Sequence, residues 1–361
     1  MRRLKPNNIA ASSIQGADQS APFLSVRATP ARILGAIALQ SLRGAALLLA
    51  CAASTASAQA TAPDYPVKFV RFIVPYAPGG SSDVLARTLG QKLGAALGQT
   101  FVVDNRPGAG SMVGTDIAAK ANADGYTIIL SDMPHTINPS IYAKVPYDPV
   151  KDFAPITTVG VSPMFLFVNP AVKAQNVKEF VALAKTQPGK LSIASGGTGA
   201  TTHLMAELLQ SHAGIKLTHV PYKGAGPALT DVVAGQIPAT FTSMATAAPF
   251  AQSGRLRILG VTSARRLAAF PDVATFEESG VTGMIVEHWW GVMAPAGVPR
   301  SVIEKLRGAI VNAVNAADVR ERFTVLAVEP RTNTPQEFRT LLETDVRRWA
   351  QVVKAAGIKI E

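Results

Sequence analysis

Two glycine-rich segments hold the residue types best suited to chemistry. Ala77-Pro-Gly-Gly-Ser-Ser-Asp83 follows the apolar run Phe69–Val74 and precedes a helical pattern at Val84, Leu85, Leu89 and Leu93. Gly196-Gly-Thr-Gly-Ala-Thr-Thr202 follows Leu191-Ser-Ile-Ala-Ser195 and precedes His203-Leu-Met-Ala-Glu-Leu-Leu209. Strand, glycine loop and helix in that order present free backbone N–H groups at the positive end of a helix, a geometry that binds anions. Two such loops on separate strand–helix units point to one acidic ligand held from both sides.

Other chemistries find less support. Gly79-Gly-Ser-Ser lacks the Gly-Lys-Ser/Thr ending of a nucleotide-binding loop, and Gly108-Ala-Gly-Ser-Met-Val-Gly114 reads G-x-G-x-x-x-G, not the dinucleotide spacing. Close helix–strand packing explains that glycine pattern better. The five histidines form no H-x-x-x-H pair and have no cysteine to support them, so neither a metal nor a cofactor is expected. Ser81, Ser82 and Ser195 lie in loops without a G-x-S-x-G elbow. Asp83 has the position of an acid or base, but an Asp in a first helical turn favours the helix dipole without catalytic duty. His203 suits a cap-side hydrogen bond or a ligand contact equally. Tyr76 ends a buried strand, where it serves as a pocket wall or as core. Tyr222 and Lys223 open another loop, and Lys223 offers a charge to a carboxylate, although a solvated lysine is the simpler reading. Trp289 and Trp290 point to opposite faces of a strand, so at most one faces a cleft.

Short apolar runs alternate with helical patterns from Phe69 onward, which argues for α/β layers with mostly parallel strands. Asn176 reads as an N-cap for a helix over 177–185, stopped by Gln187-Pro-Gly189. Amphipathic patterns over 300–316 and 335–356 predict closing helices. The chain crosses twice between two lobes, near Ile156–Val168 and near Val286–Met293. Lobe 1 is expected over 64–163 plus 287–361 and lobe 2 over 164–286. Two crossings make a hinge, and closure around a ligand is an established mode.

Residues 1–58 read as an export region. Arg43 precedes the apolar stretch Ala45–Ala53, and Ala56-Ser-Ala58 supplies a small-residue cleavage site. The only cysteine, Cys51, lies in Leu48-Leu-Ala-Cys, but Leu49 fits a lipoprotein box poorly and cleavage after Ala58 is the expectation. Removal of these residues lowers the formal net charge from +11 to +6, because six basic residues and one acid are lost. No later run of Lys and Arg interleaves with aromatics, which disfavours nucleic acid. A mild positive field suits an anionic solute.

Several runs also resemble a known family, the Bug-type receptors of tripartite tricarboxylate transporters. They are Tyr65-Pro-Val-Lys68, Val74-Pro-Tyr-Ala-Pro-Gly-Gly-Ser-Ser-Asp83, Val103-Asp-Asn-Arg-Pro-Gly-Ala-Gly110, Ala123-Asp-Gly-Tyr-Thr127, Ile137-Asn-Pro-Ser140, Tyr147-Asp-Pro-Val-Lys-Asp-Phe-Ala-Pro155, His219-Val-Pro-Tyr-Lys-Gly224 and Pro271-Asp-Val-Ala-Thr275. The resemblance spans roughly residues 64–358. It implies a two-lobe periplasmic binding protein of type II-like architecture, not an enzyme. Such a receptor is expected as a monomer that passes a mono- or dicarboxylate to membrane permease subunits. A sensor subunit serving a signalling partner such as a kinase, or a hydrolase on the same scaffold, is the alternative. It also implies a carboxylate grip, largely through backbone N–H groups and two bridging waters, by Ala77, Gly79, Gly80, Ser81 and Asp83 on one side, beside which Tyr76 is expected as a pocket wall. Ser195, Gly197, Thr198, Gly199, Thr201, Thr202 and His203, with Tyr222 and Lys223, complete the expected site. Asp132-Met-Pro-His135 and Thr242-Ser-Met-Ala245 depart from the family pattern, which leaves the distal contacts open. With Asp83 the one acid near these loops, a plain carboxylate is expected rather than an amino group.

Overall fold

A computed structural model describes residues 64–355. The expected export region and Cys51 lie outside the described residues. Among those described, no helix is long and apolar enough to cross a membrane.

Two mixed sheets flanked by helices form the frame. The first has six strands: β1 (Val70–Val74), β2 (Phe101–Asn105), β3 (Thr127–Asp132), β4 (Phe153–Pro163), β10 (Glu287–Pro295) and β11 (Glu329–Pro330), in the order β11-β4-β10-β3-β1-β2. The second contains β5 (Phe165–Val168), β6 (Ser192–Ser195), β7 (Thr218–Pro221), β8 (Ala239–Thr242) and β9 (Arg257–Val261), in the order β7-β6-β8-β5-β9. In each sheet four strands run one way. Those that oppose them are β10 and β11 in the first and β5 in the second. The expectation of mostly parallel strands therefore holds for direction, but β5 and β10 are antiparallel to both neighbours. They begin just after the chain changes sheet, and each enters its new sheet heading back along it.

The helices follow from apolar spacing. In α8 (Arg300–Asn315) the buried residues Val302, Leu306, Ile310 and Val314 recur every four residues, with Ile303 and Ala313 beside them, and make one stripe. The last helix, α10 (Pro335–Ala355), buries Phe338, Leu342, Asp345, Trp349 and Val353. Asp345 is tolerated in that stripe because its Oδ2 accepts Trp289 Nε1–H at 2.7 Å. The helix α4 (Val177–Thr186) opens as expected: Asn176 Oδ1 accepts the Glu179 N–H at 2.9 Å, and Glu179 reaches back to the Gln175 N–H. The glycine pattern 108–114 serves packing. A Cβ on Gly114 would lie 2.8 Å from the Pro75 Cα and 2.7 Å from the Arg106 carbonyl oxygen, so the helix α2 (Met112–Ala119) can approach the carboxyl ends of β1 and β2 only without a side chain there.

The two chain crossings lie side by side. Pro163 pairs with Glu287 at the start of β10, and Thr262 joins the segments beyond them. The Thr262 hydroxyl donates to Val286 O at 2.7 Å and accepts the Met164 N–H at 2.9 Å. Its backbone N–H donates to Met164 O and its carbonyl accepts the Val286 N–H. One buried threonine thus pins both connections at a single point.

Candidate functional site

The cavity between the sheets lies where the parallel strands end. β1 ends before Tyr76, β3 ends in Asp132, β6 ends in Ser195 before Gly196, and β8 ends in Thr242 before Ser243. Carboxyl ends of strands are the common ligand edge of α/β sheets. Four helices start at this edge: α1 (Ser81–Leu97), α5 (Thr201–Ala213), α6 (Ala225–Val233) and α7 (Met244–Gln252). Residues at all four starts line the cavity.

None of the four carries a side-chain cap on its first-turn amides. Such amides are normally satisfied by a side chain, water or ligand. Two hydroxyls that line the cavity, Thr201 Oγ1 and Ser243 Oγ, are buried without a protein partner among the described residues. Buried polar atoms are nearly always paired. Converging helix dipoles, open amides and free hydroxyls make an environment complementary to an anion's oxygens.

The loops are held in shape by side chains behind them. Asp83 accepts the Gly79 N–H at 3.0 Å, a bond from Arg87 Nε at 3.0 Å and one from Asn105 Nδ2 at 3.0 Å. Burial alone would raise its carboxyl, but the bonds from Arg87, Gly79 and Asn105 outweigh burial and hold it below the usual range. In the second loop Thr202 Oγ1 accepts the Gly196 N–H at 2.8 Å, Ser195 Oγ accepts the Gly197 N–H at 3.1 Å, and His203 Nδ1 accepts the Gly199 N–H at 3.3 Å. His203 stacks on His219 with ring centroids 3.9 Å apart, and His219 Nε2 bonds Ser195 Oγ at 2.6 Å. Burial first, then the neighbouring His203, push His219 down to about 4, so the His219 ring resists protonation.

The lobes meet across the loops. The Ala77 N–H donates to Lys223 O at 3.0 Å, and the Tyr142 hydroxyl donates to Thr198 O at 2.7 Å. Gly226, in the first turn of α6, packs against the loop at Pro78 and Gly79.

Of the residues expected from sequence, Tyr76, Gly80, Ser81, Thr201 and Thr202 line the cavity. Ala77, Thr198 and the Lys223 backbone join the lobes instead. Gly79, Asp83, Ser195, Gly197, Gly199 and His203 shape the loops from behind, His203 through its cap-side hydrogen bond. The Tyr222 hydroxyl turns away to Asp231. The exposed Lys223 side chain is not part of the wall.

Five polar residues in the wall lie outside the site expected from sequence: Ser82, Asp132, Thr242, Ser243 and His288. Asp83 is thus not the acid nearest the cavity, and that expectation is corrected. Asp132 is buried in the wall, where its Oδ1 accepts the Tyr76 hydroxyl at 2.9 Å. Burial, reinforced by this carboxylate, pushes the Tyr76 phenol well above its ordinary value. Asp132 Oδ2 has two longer contacts, both 3.5 Å, to Ser82 Oγ and His288 Nε2. Trp290 sits behind this group and donates its Nε1–H to Ser82 Oγ at 3.2 Å, while Trp289 faces the other side toward Asp345. Position at strand ends was the signal that could have found Asp132 and Ser243.

Residues 85–358 match the family described as Tripartite tricarboxylate transporter family receptor. The chain belongs to this family. Its members are solute-binding receptors, not enzymes, and its solved relatives include periplasmic binding proteins. Protein BugT of Bordetella pertussis is 36% identical over 307 residues, which cover 84% of this chain and 94% of that protein. A Rhodopseudomonas palustris protein solved with adipate superposes with a TM-score of 0.79 at 31% identity, covering 82% of this chain and all of that one. MatC from the same organism, solved with malate, gives 0.77 at 30% identity over 80% of this chain and all of MatC. Among the described residues no cluster of three or more His, Cys, Asp or Glu side chains is placed to hold a metal.

Proposed function

We propose that this receptor captures a small mono- or dicarboxylate between its lobes and delivers it to permease subunits of a tripartite tricarboxylate-type transporter. The carrying observation is the set of four uncapped helix starts around a cavity whose Thr201 and Ser243 hydroxyls lack protein partners. A carboxylate accepts from both amides and hydroxyls, and water bridges let one frame accept several acids. The adipate and malate bound to the two solved relatives are acids of this class. Gly80, Ser81, Thr201 and Thr202 carry the grip in this reading. Lobe 1 comprises 64–163 and 287–361 and lobe 2 comprises 164–286, turning about Thr262. Residues 1–58 direct export to the periplasm, where the receptor works as a monomer.

Thermal melting with a panel of carboxylates tests the reading. A ligand at a hundredfold excess over its Kd adds about 2.7 kcal/mol of stability, several degrees in melting temperature. If no acid raised the melting temperature, and mass spectrometry of the denatured protein released none, carboxylate capture would be wrong.

A further inference from the structure

Asp132 is the feature of the cavity that a simple anion grip does not explain. It is 5% exposed and is the one carboxylate in a wall whose other polar side chains are hydroxyls and His288. Its Oδ1 has a good partner in the Tyr76 hydroxyl, whereas Oδ2 has only the two 3.5 Å contacts to Ser82 Oγ and His288 Nε2. The Ser82 hydroxyl is itself engaged by Trp290. The other ring nitrogen of His288, Nδ1, is buried without a partner among the described residues. A carboxylate so placed repels a second carboxylate and is left short of a donor by an alkyl chain.

Its position narrows the ligand further. Asp132 touches Ser82, the second residue of α1, and the neighbouring Ser81 stands at the cavity in the same first turn. The acceptor therefore stands about one side chain from the amides that face the anion. Building on the receptor function proposed above, we propose that the ligand is a 2-hydroxy or 2-amino acid, whose donor on the carbon beside the carboxylate is read by Asp132.

Calorimetric titration of the mature protein with matched acids tests this. Propionate is compared with lactate and alanine, succinate with malate and aspartate, and glutarate with 2-hydroxyglutarate and glutamate. In each series that binds, a substituted acid is expected to bind at least about tenfold tighter than its unsubstituted parent. Asp132→Asn keeps an acceptor for Tyr76 and removes the charge, and it should abolish the preference. Asp132→Ser serves the same comparison if the first variant does not fold, and the wild-type ratio is decisive in either case. A parent acid that binds as tightly as its substituted partners overturns the inference, as does a preference that survives both variants. Failure of every acid to bind would instead overturn carboxylate capture itself, and this inference with it.

Discussion

Gly226→Ala separates closure from folding. Gly226 is the second residue of α6, and its φ lies outside the left-handed region, so alanine meets no backbone strain there. In the closed arrangement the added Cβ would lie 2.7 Å from Pro78 O, 3.0 Å from the Gly79 carbonyl carbon and 3.3 Å from its Cα. All three are backbone atoms of the opposite lobe, which no side-chain rotation can move aside. Overpacking of this kind costs about 1–3 kcal/mol. The cost falls only on the closed form, because the contact vanishes when the lobes part. Ligand affinity should therefore drop roughly 5- to 150-fold. Stability without ligand should stay level or rise slightly, since alanine is favoured over glycine in helices by about 0.5–1 kcal/mol. Calorimetry gives the Kd, and melting without ligand gives the stability. An unchanged Kd, or an unliganded protein destabilised by as much as its binding is weakened, would refute the assignment of this contact to closure.

Tyr142→Phe removes the hydroxyl that bridges to Thr198 O. The loss of about 1 kcal/mol should weaken ligand binding about fivefold in calorimetry, with little change in melting without ligand. Thr262→Val takes the hydroxyl from both chain crossings and leaves the buried Met164 N–H without that partner. Melting should report a loss of about 1–3 kcal/mol, and an unchanged melting temperature would contradict the pinning role. Acidification should destabilise the fold between pH 6.5 and 4. Burial holds His135 down to about 4, and burial with His203 does the same to His219. Both bind protons more weakly in the folded chain than in the unfolded one. Their contribution is complete above pH 6.5 and is lost as pH falls toward 4, at most about 3 kcal/mol for His135 and less for the half-buried His219, which solvent screens. A melting temperature flat from pH 7 to 5 would contradict this.

The strand–loop–helix units at Tyr76–Asp83 and Ser195–His203 were legible because glycines and hydroxyls between an apolar run and a helical pattern have few other uses. The crossings were legible as apolar runs leading from one sheet into the other. What the sequence hid depends on long-range pairing. Asp132 joins Tyr76 only because β3 lies beside β1, and His288 faces Asp132 only because β10 enters antiparallel next to β3. The short helix α3 (Pro134–Ile141) carries prolines at both its start and its interior, which masked it. The side chains of Lys223 and Tyr222 lie near the loops in sequence, but they leave the cavity once β7 takes the outer edge of its sheet.

The cavity is divided unequally. Three of the four helix starts, those of α5, α6 and α7, come from the second sheet's side, whereas Tyr76, Asp132 and His288 come from the first. In the proposed reading, an open receptor therefore offers most of its attraction for negative charge on one half and most of its scrutiny on the other. Arrival is a matter of charge, and acids of similar size should be caught at similar rates. Discrimination is deferred until the halves meet, so it is expressed as time spent bound: a suitable acid stays and a poor one leaves quickly. Such a device samples a mixed pool of acids fast, and errs only briefly.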